Sequence, residues 1–183
     1  MDHTSSIDVL FTGRPRTLIA GLGNIRLGDD GVGVHAVRYF QNCTPRTCLA
    51  AEIGTDLLCA VPLFQSYDRI VVFDAFQAGG KPGSVYTFRA EDILEKCARD
   101  SPRDTELARA LGNLSAEMVI VAAEPDKMEW RIELSPAVEA AVPVMVREAH
   151  RIIAEWQTAD ARWERIGLLP PANSKRAKIR IAG

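Results

Sequence analysis

The amino-acid sequence predicts an α/β fold on a mostly parallel sheet, and three observations carry that expectation. Strand-like and helix-like segments alternate along the chain. The run IVVFD, within Arg69–Phe76, is unbroken, apolar and rich in β-branched residues, as a strand covered on both faces must be. A glycine-rich loop, Gly21–Gly33, joins the first strand-like run to the first helical one.

Taken in order, RTLIAGLG (Arg16–Gly23) reads as a buried first strand. Beyond Gly31, the residues Val32, Ala36, Val37 and Phe40 recur at helical spacing, so a helix runs to Gln41. TCLAAEI (Thr47–Ile53) is a second strand, and Asp56 is placed to cap a short helix carrying Leu57, Leu58, Val61 and Leu63. Pro62 disturbs its end, because proline has no backbone donor. After the central strand, QAGGKPG supplies a turn and SVYTFR alternates like a half-exposed strand, which together suggest an antiparallel hairpin at one side of the sheet. Thr105–Leu114 is helix-like and Met118–Pro125 is another buried strand. Ser135 and Pro136 open a long helix, whose apolar face comprises Val138, Val142, Met145, Ala149, Ile152, Ile153 and Trp156, with a bend at Pro143. The division is one domain over residues 17–157, an N-terminal extension over 1–16, and a polar tail over 158–183 that ends in the basic PANSKRAKIRIAG.

A chain of 183 residues suits one such domain. Its net charge of -2 gives no pull toward nucleic acid or anionic membrane, and no apolar run approaches the ~20 residues of a spanning helix. The opening MDHTSSIDVLF lacks the features of a secretory signal, so a cytoplasmic protein is expected. Cys43, Cys48, Cys59 and Cys97 show no CxxC spacing and no nearby His, which argues against a zinc knuckle. Cys48 and Cys59 read as small buried hydrophobes. No cysteine has an obvious His partner, and neither a GxSxG elbow nor an HExxH helix is present.

The loop GLGNIRLGDDGVG begins like a dinucleotide fingerprint, with two glycines one residue apart. Arg26 then stands where the third glycine is needed, and Asp29 and Asp30 would compete with a pyrophosphate at the helix end. Either carboxylate can cap the helix and leave its neighbour free. Asp74 ends the central strand, where a charge needs a partner: backbone donors of the next loop, or a ligand. In a 2-1-3 strand order, Asp30 and Asp74 converge on the crevice where the winding reverses. Paired carboxylates there suit a metal ion or an acid–base pair.

These residues carry a resemblance to the hydrogenase maturation endopeptidases, which trim the C-terminal extension from the large subunit of nickel–iron hydrogenases. GLGNIRLGDDGVG resembles that family's opening loop and EIGTDLL (Glu52–Leu58) its second strand and turn. IVVFDAFQAGGKPGSVYTF is similar to the central strand and hairpin, and Val119–Pro143 to the last strand and the entry of the C-terminal helix. The resemblance spans roughly Leu18 to Trp156 in order. It implies a three-layer α/β/α sandwich whose twisted sheet has about five strands, one of them antiparallel. It also implies that Asp30 and Asp74 are the catalytic and metal-engaging residues, acting on nickel contributed by the precursor substrate, with another divalent cation as the alternative.

The family's third metal residue is a His, and here the match departs. Arg103 stands at its place in SPRDTELARAL, and none of His3, His35 and His150 falls in that segment. An arginine cation cannot donate a lone pair to a metal. Either Asp104 or Glu106 supplies a third oxygen, or Arg103 pairs with Asp30 or Asp74 and the protein binds without cutting. His35, just inside the first helix, reads as a satisfied or surface histidine. The leading expectation is an endopeptidase acting on a nickel-loaded large-subunit precursor, with Gly54, Thr55 and Asp56 shaping the cleft wall and Gly79, Gly80 and Gly83 the neighbouring loop. The alternatives are a non-cleaving maturation chaperone or checkpoint protein and, third, a nucleotide-binding α/β protein.

Overall fold

The computed structural model describes residues 16–45, 47–89, 114–165 and 180–181. Strand β1 (Thr17–Leu22) is buried at every position and lies between β2 (Cys48–Gly54) and β3 (Arg69–Ala75), parallel to both. β3 continues the parallel sheet into β5 (Glu117–Ala123), and β4 (Val85–Arg89) runs antiparallel to β5. A two-residue β6 (Arg180–Ile181), inside the segment read from sequence as tail, pairs antiparallel with β4. The order is β2-β1-β3-β5-β4-β6, in which β4 alone opposes the others among the described residues. The 2-1-3 arrangement is therefore present.

The hairpin expectation needs correction, because β5 inserts between β3 and β4. An apolar strand such as β3 needs neighbours along both edges, and β5, MVIVAA after Glu117, matches it in apolar character. β4 buries only Val85 fully and so suits a place nearer the edge. The connection from Phe76 to Ser84 crosses over β5's end and is stitched to it: Phe76 N–H donates to Ala123 O at 3.0 Å, and Gly83 N–H donates to Glu124 O at 2.8 Å.

Period-two alternation sorts the strand residues into two apolar layers. Ile19, Val71, Phe73, Val119 and Val121 pack beneath α1 (Val32–Gln41) and α3 (Pro136–Arg165), against Val37, Phe40, Val138, Met145 and Ile152. Leu18, Ala20, Ile70, Val72 and Met118 face α2 (Leu57–Phe64) through Ala60 and Phe64. This is the expected α/β/α sandwich. Asp56 caps α2 by accepting Cys59 N–H at 3.1 Å. Cys59 itself is exposed, not buried, because Ala60 and Phe64 take the core face of this short helix. Cys48 is half-buried against the larger cluster.

α3 continues past residue 157, and Asp160 explains its course. Arg69, at the start of β3, donates to both Asp160 oxygens at 2.6 and 2.7 Å, with its guanidinium over the Trp156 ring. Removing one partner of such a buried, bidentate pair strands a charge. The helix Thr105–Leu114 expected from sequence lies, apart from Leu114, outside the described residues, as do Arg103, Asp104 and Glu106.

Candidate active site

The site is assembled by the close seating of α1 on the carboxyl ends of β1 and β3. A Cβ on Gly33 would fall onto the Phe73 and Leu22 carbonyls, and one on Gly21 would meet Gly33 O. Glycine at these two places lets the first turn of α1 touch the sheet, the role that the third glycine of a nucleotide loop would have played. Gly33→Ala is expected to lower unfolding stability by about 2 kcal/mol, as overpacking does in a tight core. The midpoint of urea unfolding at constant m-value measures it.

The first loop then folds back on itself. Gly23 N–H donates to Gly54 O at 3.0 Å, tying the loop to the end of β2, and a Cβ on Gly23 (φ 107°) would collide with Asp30 O. Residues Gly28–Gly31 form a 3-10 turn leading into α1. Asp30, half-buried in that turn, accepts Asn24 N–H at 2.8 Å, which orients its carboxylate.

Asp74 stands at the neighbouring strand end, also half-buried, and accepts the Ala75 N–H at 2.8 Å. Its pKa is raised to about 7: burial pushes it up, the Ala75 N–H lowers it, and the negative charge of Asp30 raises it again. The two carboxylates therefore lie within electrostatic reach of each other, as the strand order required. The loop donors that Asp74 was placed to accept go elsewhere. Glu124, buried at the end of β5, accepts Ala78 N–H at 2.9 Å, Gly79 N–H at 3.1 Å and the Tyr86 hydroxyl at 2.9 Å. Glu124 thereby shapes the loop beside Asp74. Nothing in the residues around it marked this, since its partners lie 38 to 46 positions away.

Asp29 has the other division of labour. It is fully buried and accepts Ser135 N–H at 2.6 Å, the Ser135 hydroxyl at 2.8 Å, Asp126 N–H at 2.9 Å and Lys127 N–H at 3.0 Å. Burial alone would raise its pKa, but the donors from Ser135, Lys127 and Asp126 outweigh burial and hold it below the ordinary value. Rather than capping α1, it ties the first loop to the entrance of α3. Ser135, which directly precedes that helix as the sequence predicts, donates its hydroxyl to Asp29.

The histidines differ from their sequence reading. His35 is half-buried, and its enclosed Nε2 has no hydrogen-bond partner among the described residues; burial, then the nearby Arg38 cation, lowers its pKa. His150 stacks on Phe40 at 4.7 Å and meets Cys43 Sγ at 3.3 Å, a Cys–His contact across 107 positions that spacing did not reveal. Cys43 follows the far end of α1 from Asp30, so this pair lies away from the carboxylates. Among the described residues no third His, Cys, Asp or Glu joins Asp30 and Asp74 in a group able to hold a metal.

A family model described as hydrogenase maturation protease matches residues 34–152. The chain belongs to the hydrogenase maturation protease family. Among relatives of this maturation protease, the hydrogenase expression/formation protein HupD of Bradyrhizobium diazoefficiens is 28% identical over 158 residues, covering 80% of this chain and 82% of the relative. The hydrogenase 2 maturation protease of Escherichia coli is 26% identical, over 69% of this chain and 84% of its own length. In structure, the [NiFe] hydrogenase maturation protease HybD of Thermococcus kodakarensis matches with TM-score 0.58 at 30% identity, over 75% of this chain and 98% of that one. The maturating endopeptidase HybD of E. coli shares the fold with TM-score 0.65 at 23% identity, over 87% of this chain and 99% of its own. No helix among the described residues of this maturation protease is long and apolar enough to cross a membrane.

Proposed function

We propose that this protein is the endopeptidase that removes the C-terminal extension from a nickel-loaded hydrogenase large-subunit precursor in the cytoplasm, with Asp30 and Asp74 engaging the metal. What supports it is that Asp74, at the end of β3, feels the negative charge of Asp30 in the loop after the neighbouring strand β1, in a member of a maturation protease family. Two negative groups held close, one with its pKa lifted to about 7, leave a site that a cation relieves. Two oxygens make an incomplete cage by themselves, and they fit a metal that arrives with its own ligands on the precursor. Such a nickel, held by the substrate's thiolates, supplies Lewis-acid polarisation next to the scissile bond. Another divalent cation is the alternative occupant.

The protein's own groups have separable roles. Asp30, aimed by Asn24 N–H, holds position and charge. Asp74, at a pKa of about 7, is poised to accept a proton from the attacking water at one oxygen while Ala75 N–H occupies the other. This is an aspartate-type, metal-dependent cleavage without a covalent intermediate.

The deciding experiment incubates the purified protein with nickel-loaded and nickel-free precursor and follows the C-terminal extension by mass spectrometry. Loss of the extension from the loaded form alone is the expected result. A stable complex that stays uncut would replace the endopeptidase with the second function, a non-cleaving checkpoint protein, which Arg103 at the position of the family's His favours.

A further inference from the structure

The segment from Asp126 to Glu133 crosses beside the first loop as a strap, and it is tied at several points. Asp29 takes two of its N–H groups, Gly28 N–H donates to Arg131 O at 2.8 Å, and Arg131 N–H donates to Arg26 O at 3.1 Å. The strap lies on the surface, exposed at every residue but Arg131, and displays Met128, Trp130 and Ile132 at 42%, 80% and 67% exposure. Three large apolar side chains displayed on a tethered strap form a patch that water disfavours.

Trp130 also lines an open cleft of about 500 Å³, with Asn24, Arg26, Arg38, Gly54 and Thr55 among the other walls. The cleft is linked to Asp30 through one of its walls, since Asn24 is the residue whose N–H holds that carboxylate. Its far wall is the end of β2, the outermost strand, which has no neighbour on its outer side among the described residues. An open strand edge accepts an extended peptide. The charges select further. Arg38 is already paired with Glu52 at 2.7 Å and Arg131 with Glu129 at 3.8 Å, whereas Arg26 is exposed with no acidic partner among the described residues.

We propose that this cleft is the docking groove for the precursor's C-terminal extension, bound in extended form along the β2 edge. Trp130 stacks on a large apolar side chain of the extension, and Arg26 pairs with one of its carboxylates. The groove has this role only if the protein processes a precursor. Its position explains how a site with few ligands of its own could choose its substrate: affinity resides in the strap and the groove, chemistry in the two carboxylates.

The test measures binding of nickel-loaded precursor in an Asp74→Asn background, and the saturating cleavage rate in the Asp74 background. Trp130→Ala is expected to weaken binding about tenfold, as loss of an aromatic anchor does, while the rate at saturation stays within about twofold. Trp130→Phe should recover most of the affinity, and Arg26→Glu should weaken binding in a salt-dependent way. Against a large subunit already lacking its extension, Trp130→Ala should make no difference. Wild-type trimming with unaltered binding by Trp130→Ala would overturn the groove and leave the endopeptidase standing. Equal weakening against the shortened subunit would assign the patch to the subunit's body. A concentration-dependent dimer abolished by Trp130→Ala would assign it to a second copy of this chain. A wild-type protein that neither binds nor trims the precursor would remove both proposals together.

Discussion

Asp74→Asn is expected to abolish precursor trimming, by about a thousandfold or more, and at the same time to stabilise the free protein above neutral pH. The loss follows from the role proposed for this carboxylate, because an amide neither accepts the water's proton nor brings a negative charge to the metal. The gain follows from linkage. The folded pKa of Asp74, about 7, lies above the ordinary carboxylate value, so the fold favours its neutral form. The stability this group contributes is complete at low pH and is lost as pH rises through about 7. Asparagine removes that loss. Wild type and variant should therefore unfold alike near pH 4, while at pH 8 the variant should be more stable by roughly 2 kcal/mol, less than full linkage allows because water and local movement relieve part of the charge. Urea unfolding at the two pH values checks the stability, and mass spectrometry of the precursor checks the trimming. Unchanged trimming by Asp74→Asn would end the proposed role of the pair. An activity residue that costs the fold free energy is the usual trade between stability and function.

The second large effect concerns Asp29. Asp29→Ala should lower stability by about 3 kcal/mol or more, because it leaves three backbone donors and the Ser135 hydroxyl without their acceptor in a buried site. Asp29→Asn keeps the shape and should also destabilise, since the amide turns a donor toward donors. Here the sign with pH is opposite to that of Asp74. The folded pKa of Asp29 is depressed, so its contribution is present above the unfolded carboxylate pKa of ~3.9 and disappears as pH falls through the folded value. The gap between wild type and Asp29→Asn should thus be constant at neutral pH and narrow in acid. Trimming should fall too, because Asp30 follows Asp29 in the same turn and the strap carrying Trp130 hangs from it. A variant as stable as wild type at pH 7 would show that the four contacts are replaceable by water.

The sandwich, and the placing of Asp30 and Asp74 near enough for one charge to act on the other, were legible without coordinates for the same reason: both depend on local pattern. Continuous apolar runs at Leu18–Leu22 and Ile70–Phe73 can only be strands buried on both faces, and strands so buried must alternate with covering helices. A carboxylate at the carboxyl end of β3 and one in the loop that follows the adjacent parallel β1 then lie at the same edge of the sheet. Partnership over long separations was a different matter. Which of Asp29 and Asp30 is tied down depended on Ser135, 106 positions from Asp29. That Glu124, and not Asp74, collects the loop donors depended on β5 displacing β4 from β3's side. The Cys43–His150 contact, the exposure of Cys59 and the display of Trp130 likewise have no signature in spacing. Periodicity, propensity and turn chemistry act over a few residues and are written in the order of the chain. The choice of hydrogen-bond partner, and with it the environment that moves Asp74 up and Asp29 down, exists only once distant segments are packed together.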